Sequence, residues 1–187
     1  TLLTSSAASD VYKRQVLSSH VQILCFTTKG KVFWLKVYEI PVASRTSKGR
    51  PLVNMLNLDD DERVSEILPV EEFSDDKFIF MATRKGITKK TNLSLFARKW
   101  KSGIKAINLD EDDRLVGTAI TDGKKEILLA SSAGKLIRFN ETKVRAMGRT
   151  ARGVKGMKLK KDQRLISLNV ADPVSYTHLT LPTKSGV

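Results

Sequence analysis

The string Leu-x4-Arg-(Val/Leu) occurs three times at almost constant intervals: Leu58, Arg63 and Val64; Leu109, Arg114 and Leu115; Leu159, Arg164 and Leu165. The arginines are 51 and 50 residues apart. Self-similarity at a fixed period near fifty, built from short strand-like runs, points to propeller-like blades rather than to one compact mixed fold. Each unit should therefore repeat one structural job.

The rest of the unit recurs as well. An apolar run, a small polar pair and a glycine precede a second run in Ile23–Gly30 with Lys31–Leu35, in Phe78–Gly86, and in Ile127–Gly134. Glycine supplies the positive φ of a tight turn, so each unit opens with a hairpin. A second glycine follows within a basic stretch: Arg45 to Gly49, Arg98 to Gly103, and Arg149 to Gly153. Further short strands are expected at Leu52–Leu58, Ile104–Leu109 and Val154–Leu159, then charged turns, then a last strand starting at the repeated arginine. The reading is all-β, with about three four-stranded blades and no convincing helical period, although Leu93–Phe96 could form a single turn.

The expected organisation is a repeat region over residues 16–172, with units at about 16–70, 71–121 and 122–172. The ends, 1–15 and 173–187, do not obey the repeat and are expected to be non-native flanks. No apolar stretch approaches the roughly 20 residues needed to span a bilayer, so the chain should be soluble. Cys25, the single cysteine, lies in an apolar run and reads as a buried small side chain.

Charge is the strongest functional clue. The chain carries a formal net charge of +13, of which the flanks hold +2 through Lys13, Arg14 and Lys184 against Asp10. Such an excess attracts polyanions, above all nucleic acid. Acidic residues gather in the turns Asp59–Glu62 and Asp110–Asp113, which read as turn formers rather than metal sites. Basic residues gather at hairpin tips and glycine loops. The first unit offers Lys29, Lys31, Lys36, Arg45, Lys48 and Arg50, and the second Arg84, Lys85, Lys89, Lys90, Arg98, Lys99, Lys101 and Lys105. The third offers Lys135, Arg138, Lys143, Arg145, Arg149, Arg152, Lys155 and Lys158. All of these except Lys36, Lys105, Lys143 and Lys158 are candidate DNA contacts, expected to merge into a curved stripe on one rim.

A convex basic rim can offset the cost of bending duplex DNA, of order 1 to 6 kcal/mol for a short site, with phosphate contacts that read no base. Aromatic residues make up only 6% of the chain and do not alternate with basic ones, so stacking on single strands is the weaker option. No Walker A pattern, zinc cysteine pair, dinucleotide fingerprint or nucleophile with a base is present. His20 and His178 are the only histidines, and no metal site is expected.

Several long strings resemble, in order, the C-terminal domain of the A subunit of bacterial DNA gyrase. They are Lys36–Pro41, Ser44–Asn54, Phe80–Thr83 with Lys89-Lys90-Thr91, and Val144–Gly156. The resemblance implies a β-pinwheel that wraps double-stranded DNA on its basic perimeter, of which this chain holds about three blades. It further implies a bacterial, cytoplasmic, nucleoid-associated parent enzyme, a type II topoisomerase that introduces negative supercoils, with gyrase B and a second gyrase A as partners. This stretch itself would carry no catalytic residue and no cofactor, since ATP and Mg2+ act through gyrase B and the cleavage site. Tyr12, Tyr38 and Tyr176 do not sit in the family's catalytic context. The marker heptapeptide Gln-Arg-Arg-Gly-Gly-basic-Gly is absent, which leaves the homologous domain of topoisomerase IV open as an alternative. A propeller-like scaffold for protein partners is the other.

Overall fold

A computed structural model of the chain describes residues 20–42, 46, 48, 51–59 and 61–173. The expectations for the flanks, apart from Pro173, and for Arg45 and Arg50 fall outside these residues. Among the described residues eleven strands run in chain order: β1 (Gln22–Thr27), β2 (Lys31–Lys36), β3 (Val64–Val70), β4 (Phe78–Thr83), β5 (Ile87–Asn92), β6 (Ile104–Lys105), β7 (Leu115–Thr121), β8 (Glu126–Ser131), β9 (Leu136–Asn140), β10 (Val154–Lys155) and β11 (Leu165–Ala171). Apart from the strands, only short 3-10 turns are regular among the described residues, including the single turn at Leu93–Phe96. Among the described residues no helix is long and apolar enough to cross a membrane.

The strands form three antiparallel sheets, ordered β3-β1-β2-β6, β10-β5-β4-β7 and β11-β8-β9. The repeated hairpin is the centre of each. Gly30, Gly86 and Gly134 turn its tip at φ of 74°, 80° and 71°, the left-handed region that side chains disfavour. The strand after the repeated arginine (β3, β7 or β11) then pairs with the first hairpin strand. β7 packs against both β3 and β11, so these three strands line the inner side of the arc, and β6 and β10 lie at the outer sheet edges.

Those outer strands differ from the expected arrangement. Ile104–Lys105 belongs to the second repeat but pairs with β2 of the first, Lys31↔Lys105 and Val32↔Ile104. Val154–Lys155 of the third repeat likewise pairs with β5 of the second. Each repeat thus completes the sheet before it, and β9 forms an edge among the described residues. The first repeat's expected strand at Leu52–Leu58 is instead a 3-10 turn, Leu52–Asn54, with following turns. Its Leu56 packs with Ile23, Cys25, Phe33 and Leu35 on the free face of the first sheet. Cys25 is fully buried there, and burial pushes its thiol up to about 11.

The burial of the central strands follows from stacking the sheets. β1 and β4 are buried at nearly every position, because both faces are covered. Leu24 and Phe26 of β1 meet Ile79 and Met81 of β4 in one core layer. Phe80 and Ala82, on the opposite face of β4, meet Ile127 and Leu129 of β8 in the next. β8, covered on one face, alternates buried and half-buried positions, the period-2 pattern of a strand with one solvent side.

Candidate nucleic-acid interface

Strand exchange determines where the basic loops go. The stretch 97–103 leads into β6 and therefore lies at the outer edge of the first sheet. Arg98, Lys99, Lys101 and Lys105 are exposed along it, and the Arg98 guanidinium stacks over the Trp100 ring at 4.8 Å. The stretch 145–153 leads into β10 and follows the outer edge of β5. There Met147 N–H donates to Lys90 O at 2.8 Å, and Ala146 bridges Lys90 in parallel. Gly153 makes the close approach possible: at φ 98° its hydrogen faces Thr88 O, where a Cβ would lie 2.6 Å away. Arg145, Arg152 and Lys155 are exposed and Arg149 is half-buried.

The segment that follows β6 is joined to the second of these loops. Asn108 N–H, just beyond β6, donates to Ala151 O at 3.4 Å. The Lys89 ammonium donates both to Ala106 O, at 2.7 Å, and to Arg149 O. Arg152 Nη1 lies 3.2 Å from Asp110 Oδ1. The outer edges of two consecutive sheets thereby present one continuous cationic strip. Lys135 and Arg138 extend it to β9, the outermost strand described in the third sheet; both are exposed, and Arg138 Nε stands 3.7 Å from Glu126. Lys105, outside the candidate set, belongs to the strip because it is the β6 counterpart of Lys155 in β10.

The remaining candidates are placed elsewhere. Lys89 and Lys90 do not reach the surface: Lys89 is 0% exposed and Lys90 7%. They sit on β5 beneath β10 and the 145–153 loop. Burial, aided by the nearby Arg149 charge, pulls the Lys89 amine down from 10.5 to about 8. Lys90 Nζ donates to Glu141 O at 3.1 Å and lies 3.9 Å from the buried Glu141 carboxylate and 5.0 Å over the Phe78 ring. Both amines are committed to the fold, so neither can meet a phosphate. Aligned on the hairpin glycines, Lys89 falls opposite Phe33 and Ile137, whereas Lys90 falls opposite Trp34 and the exposed Arg138. Comparison between repeats therefore signalled burial for Lys89 but not for Lys90.

At the hairpin tips of the first two sheets the lysines are engaged by the acidic turns, including Lys31, which stands directly opposite Lys105 of the strip. Lys29 pairs with Asp61, and Lys31 with Asp59 at 2.9 Å and Glu62 at 3.4 Å. These hydrogen-bonded pairs hold the Asp59 and Asp61 carboxyls below, and the two lysines above, their ordinary ranges. Lys85 Nζ donates to Glu111 O at 2.6 Å, while its N–H meets Asp113 Oδ1 at 2.9 Å. The acidic turns thus hold the tips of their own sheets. Arg84 is exposed at such a tip, apart from the outer strip, and Lys48 is exposed in the first repeat's glycine loop.

Known proteins share this architecture. The family described as DNA gyrase C-terminal domain, beta-propeller, matches three consecutive stretches, residues 22–71, 77–122 and 125–172. The A subunit of DNA gyrase from Salmonella typhimurium is 49% identical over 153 residues, covering 82% of this chain and 17% of the relative. Its counterpart in Klebsiella oxytoca is 48% identical over 171 residues, covering 91% and 19%. The chain therefore spans less than a fifth of the length of these curated relatives. The solved C-terminal domain of DNA topoisomerase IV superposes with a TM-score of 0.76 at 29% identity, over 91% of this chain and 57% of that one. A DNA gyrase A C-terminal domain does so at 0.66 and 24% identity, over 81% and 48%, a likeness of fold alone.

Proposed function

The chain belongs to the DNA gyrase C-terminal domain family, a β-propeller, and we propose that it binds duplex DNA along the outer edges of successive blades and bends it there. The observation that carries this reading is the joining of the 145–155 loop to the segment 106–110 that directly follows β6, which sets the exposed cations of 97–105 and 145–155 on neighbouring outer edges. Arg98, Lys99, Lys101, Lys105, Arg145, Arg149, Arg152 and Lys155 contact phosphates, with Lys135 and Arg138 continuing the path. Each contact releases a counterion and none needs to read a base, so binding is strong at low salt and weakly sequence-selective. A curved row of cations favours the bent duplex over the straight one, because bending raises the number of phosphates within reach.

On this reading the parent is a bacterial DNA gyrase acting in the cytoplasm, assembled from two copies of gyrase A with gyrase B. The high identity to gyrase A relatives favours it over topoisomerase IV. The wrapped segment sets the hand of strand passage and so supports negative supercoiling. Cutting and ATP-driven steps reside in other parts of that enzyme, and this stretch contributes wrapping surface only.

Reversing Arg149, Arg152 and Lys155 together to Glu tests the reading by titration of a labelled duplex at several salt concentrations. Affinity should fall while circular dichroism stays unchanged, and the slope of log K against log salt should become shallower by about 3. An unchanged affinity and slope would refute the outer-edge path.

A further inference from the structure

The most regular motif in the sequence, the arginine of each repeat, is left unused by duplex binding. In the fold each of these arginines precedes an innermost strand, and its carbonyl accepts the hairpin-tip N–H of its own sheet at 2.8 Å: Thr28 to Arg63, Arg84 to Arg114, Ser132 to Arg164. The tip's carbonyl in turn accepts an N–H from the next repeat, Leu115 to Thr28 at 3.0 Å and Leu165 to Arg84 at 2.8 Å. These bonds use backbone atoms alone, so they account for the spacing but not for the guanidinium.

At the step from the second to the third sheet the tip residue is itself an arginine. Arg84, Arg114 and Arg164 therefore line one open cleft of about 340 Å³ with Val116, Leu165 and Ile166. All three arginines are exposed, and among the described residues none of the three forms an ion pair. Acids in the neighbourhood include Asp61, whose carboxyl feels Arg114, and Asp112 and Asp162, which line the adjoining hollow. Ile166 is 54% exposed in the cleft, an apolar side chain among cations.

We propose that this cleft binds an acidic peptide segment carrying an apolar residue, with carboxylates on Arg84, Arg114 and Arg164 and the apolar side chain on Ile166 and Val116. Guanidinium forks match carboxylates two bonds at a time. The apolar wall favours a peptide, whose branched side chains fill it better than the small C–H faces of a sugar-phosphate backbone, and the cleft accommodates a few side chains rather than a duplex. The site is distinct from the outer strip, so it leaves the DNA path open.

The test is fluorescence anisotropy with a labelled hexapeptide of alternating aspartate and leucine, against the whole chain. Arg84→Ser, which installs the residue found at Ser132, should weaken the peptide about tenfold and Ile166→Asn about threefold, with binding of a long duplex unchanged within about twofold. Arg164→Gln, expected to act like Arg84→Ser, serves as a second variant should Arg84→Ser disturb the fold. Charge reversal of Arg149, Arg152 and Lys155 should spare the peptide. Equal peptide binding by Arg84→Ser and Arg164→Gln and the parent would overturn the proposal. So would loss of peptide binding on reversal of the outer cations, or displacement of the peptide by a short duplex whose own affinity drops in Arg84→Ser.

Discussion

The buried ammonium of Lys89 donates to the backbone carbonyl of Arg149, so a cation inside the second sheet fixes the loop that carries cations outside it. The same amine holds Ala106 O, in the segment following β6. One side chain thus ties the loops of two consecutive repeats to each other.

Replacing Lys89 by Met removes both bonds. The 145–153 loop should loosen, with faster amide exchange at Met147 and Ala151, and duplex affinity should fall although no exposed charge is lost. The amine is held at about 8, below its ordinary 10.5. Between those values the unfolded chain binds the proton and the folded chain does not, so this residue's contribution makes stability rise with pH through that window. Below about 8 both states are protonated and the burial penalty is constant. Urea unfolding at several pH values should show the parent gaining on Lys89→Met across the window, by up to on the order of 3 kcal/mol.

The hairpin glycines should differ in sensitivity although their φ angles agree. A Cβ on Gly86 would lie 2.7 Å from Met157 O, whereas on Gly134 it would meet nothing within 4 Å. Gly134→Ala should cost about 1 kcal/mol, from the positive φ alone. Gly86→Ala should cost at least about 2 kcal/mol, because the next repeat must also move away. Chemical denaturation of the two variants checks the order.

Glu141 is fully buried, and its carboxylate accepts from Thr121 Oγ1 at 2.7 Å and from Lys125 N at 2.8 Å, with Lys90 Nζ 3.9 Å away. Glu141→Ala would leave the Lys90 ammonium buried without its counter-charge and should cost about 3 to 5 kcal/mol. Glu141→Gln retains an acceptor and should cost less. Thermal unfolding of both, beside a Lys90→Met/Glu141→Ala double variant that recovers part of the loss, tests the coupling.

Much of the fold was legible from period and turn chemistry. Gly30, Gly86 and Gly134 each turn a hairpin, and the strand after each repeated arginine lies where the sequence places it. Strand ownership was not legible: Ile104–Lys105 pairs with β2 rather than within its own unit, and a periodic sequence reads the same whichever neighbour takes the strand. The acidic turns were recognised as turns, but their pairing with the tips, as in Lys29 with Asp61, joins residues too far apart in sequence for local pattern to reveal. Lys89 and Lys90 look like surface cations in the run Thr-Lys-Lys-Thr. Their burial comes from a loop that belongs to the following repeat.

Photocrosslinking tests the central claim most directly. A crosslinking residue is placed in turn at Ser102, at Gly148 and at Lys29, and the chain is bound to one long duplex at low salt. The expected result is crosslinks from Ser102 and Gly148 to the same duplex at separated positions, and little from Lys29. Crosslinking from Lys29 alone, with Ser102 and Gly148 silent, would contradict an interface built on the outer edges of the blades.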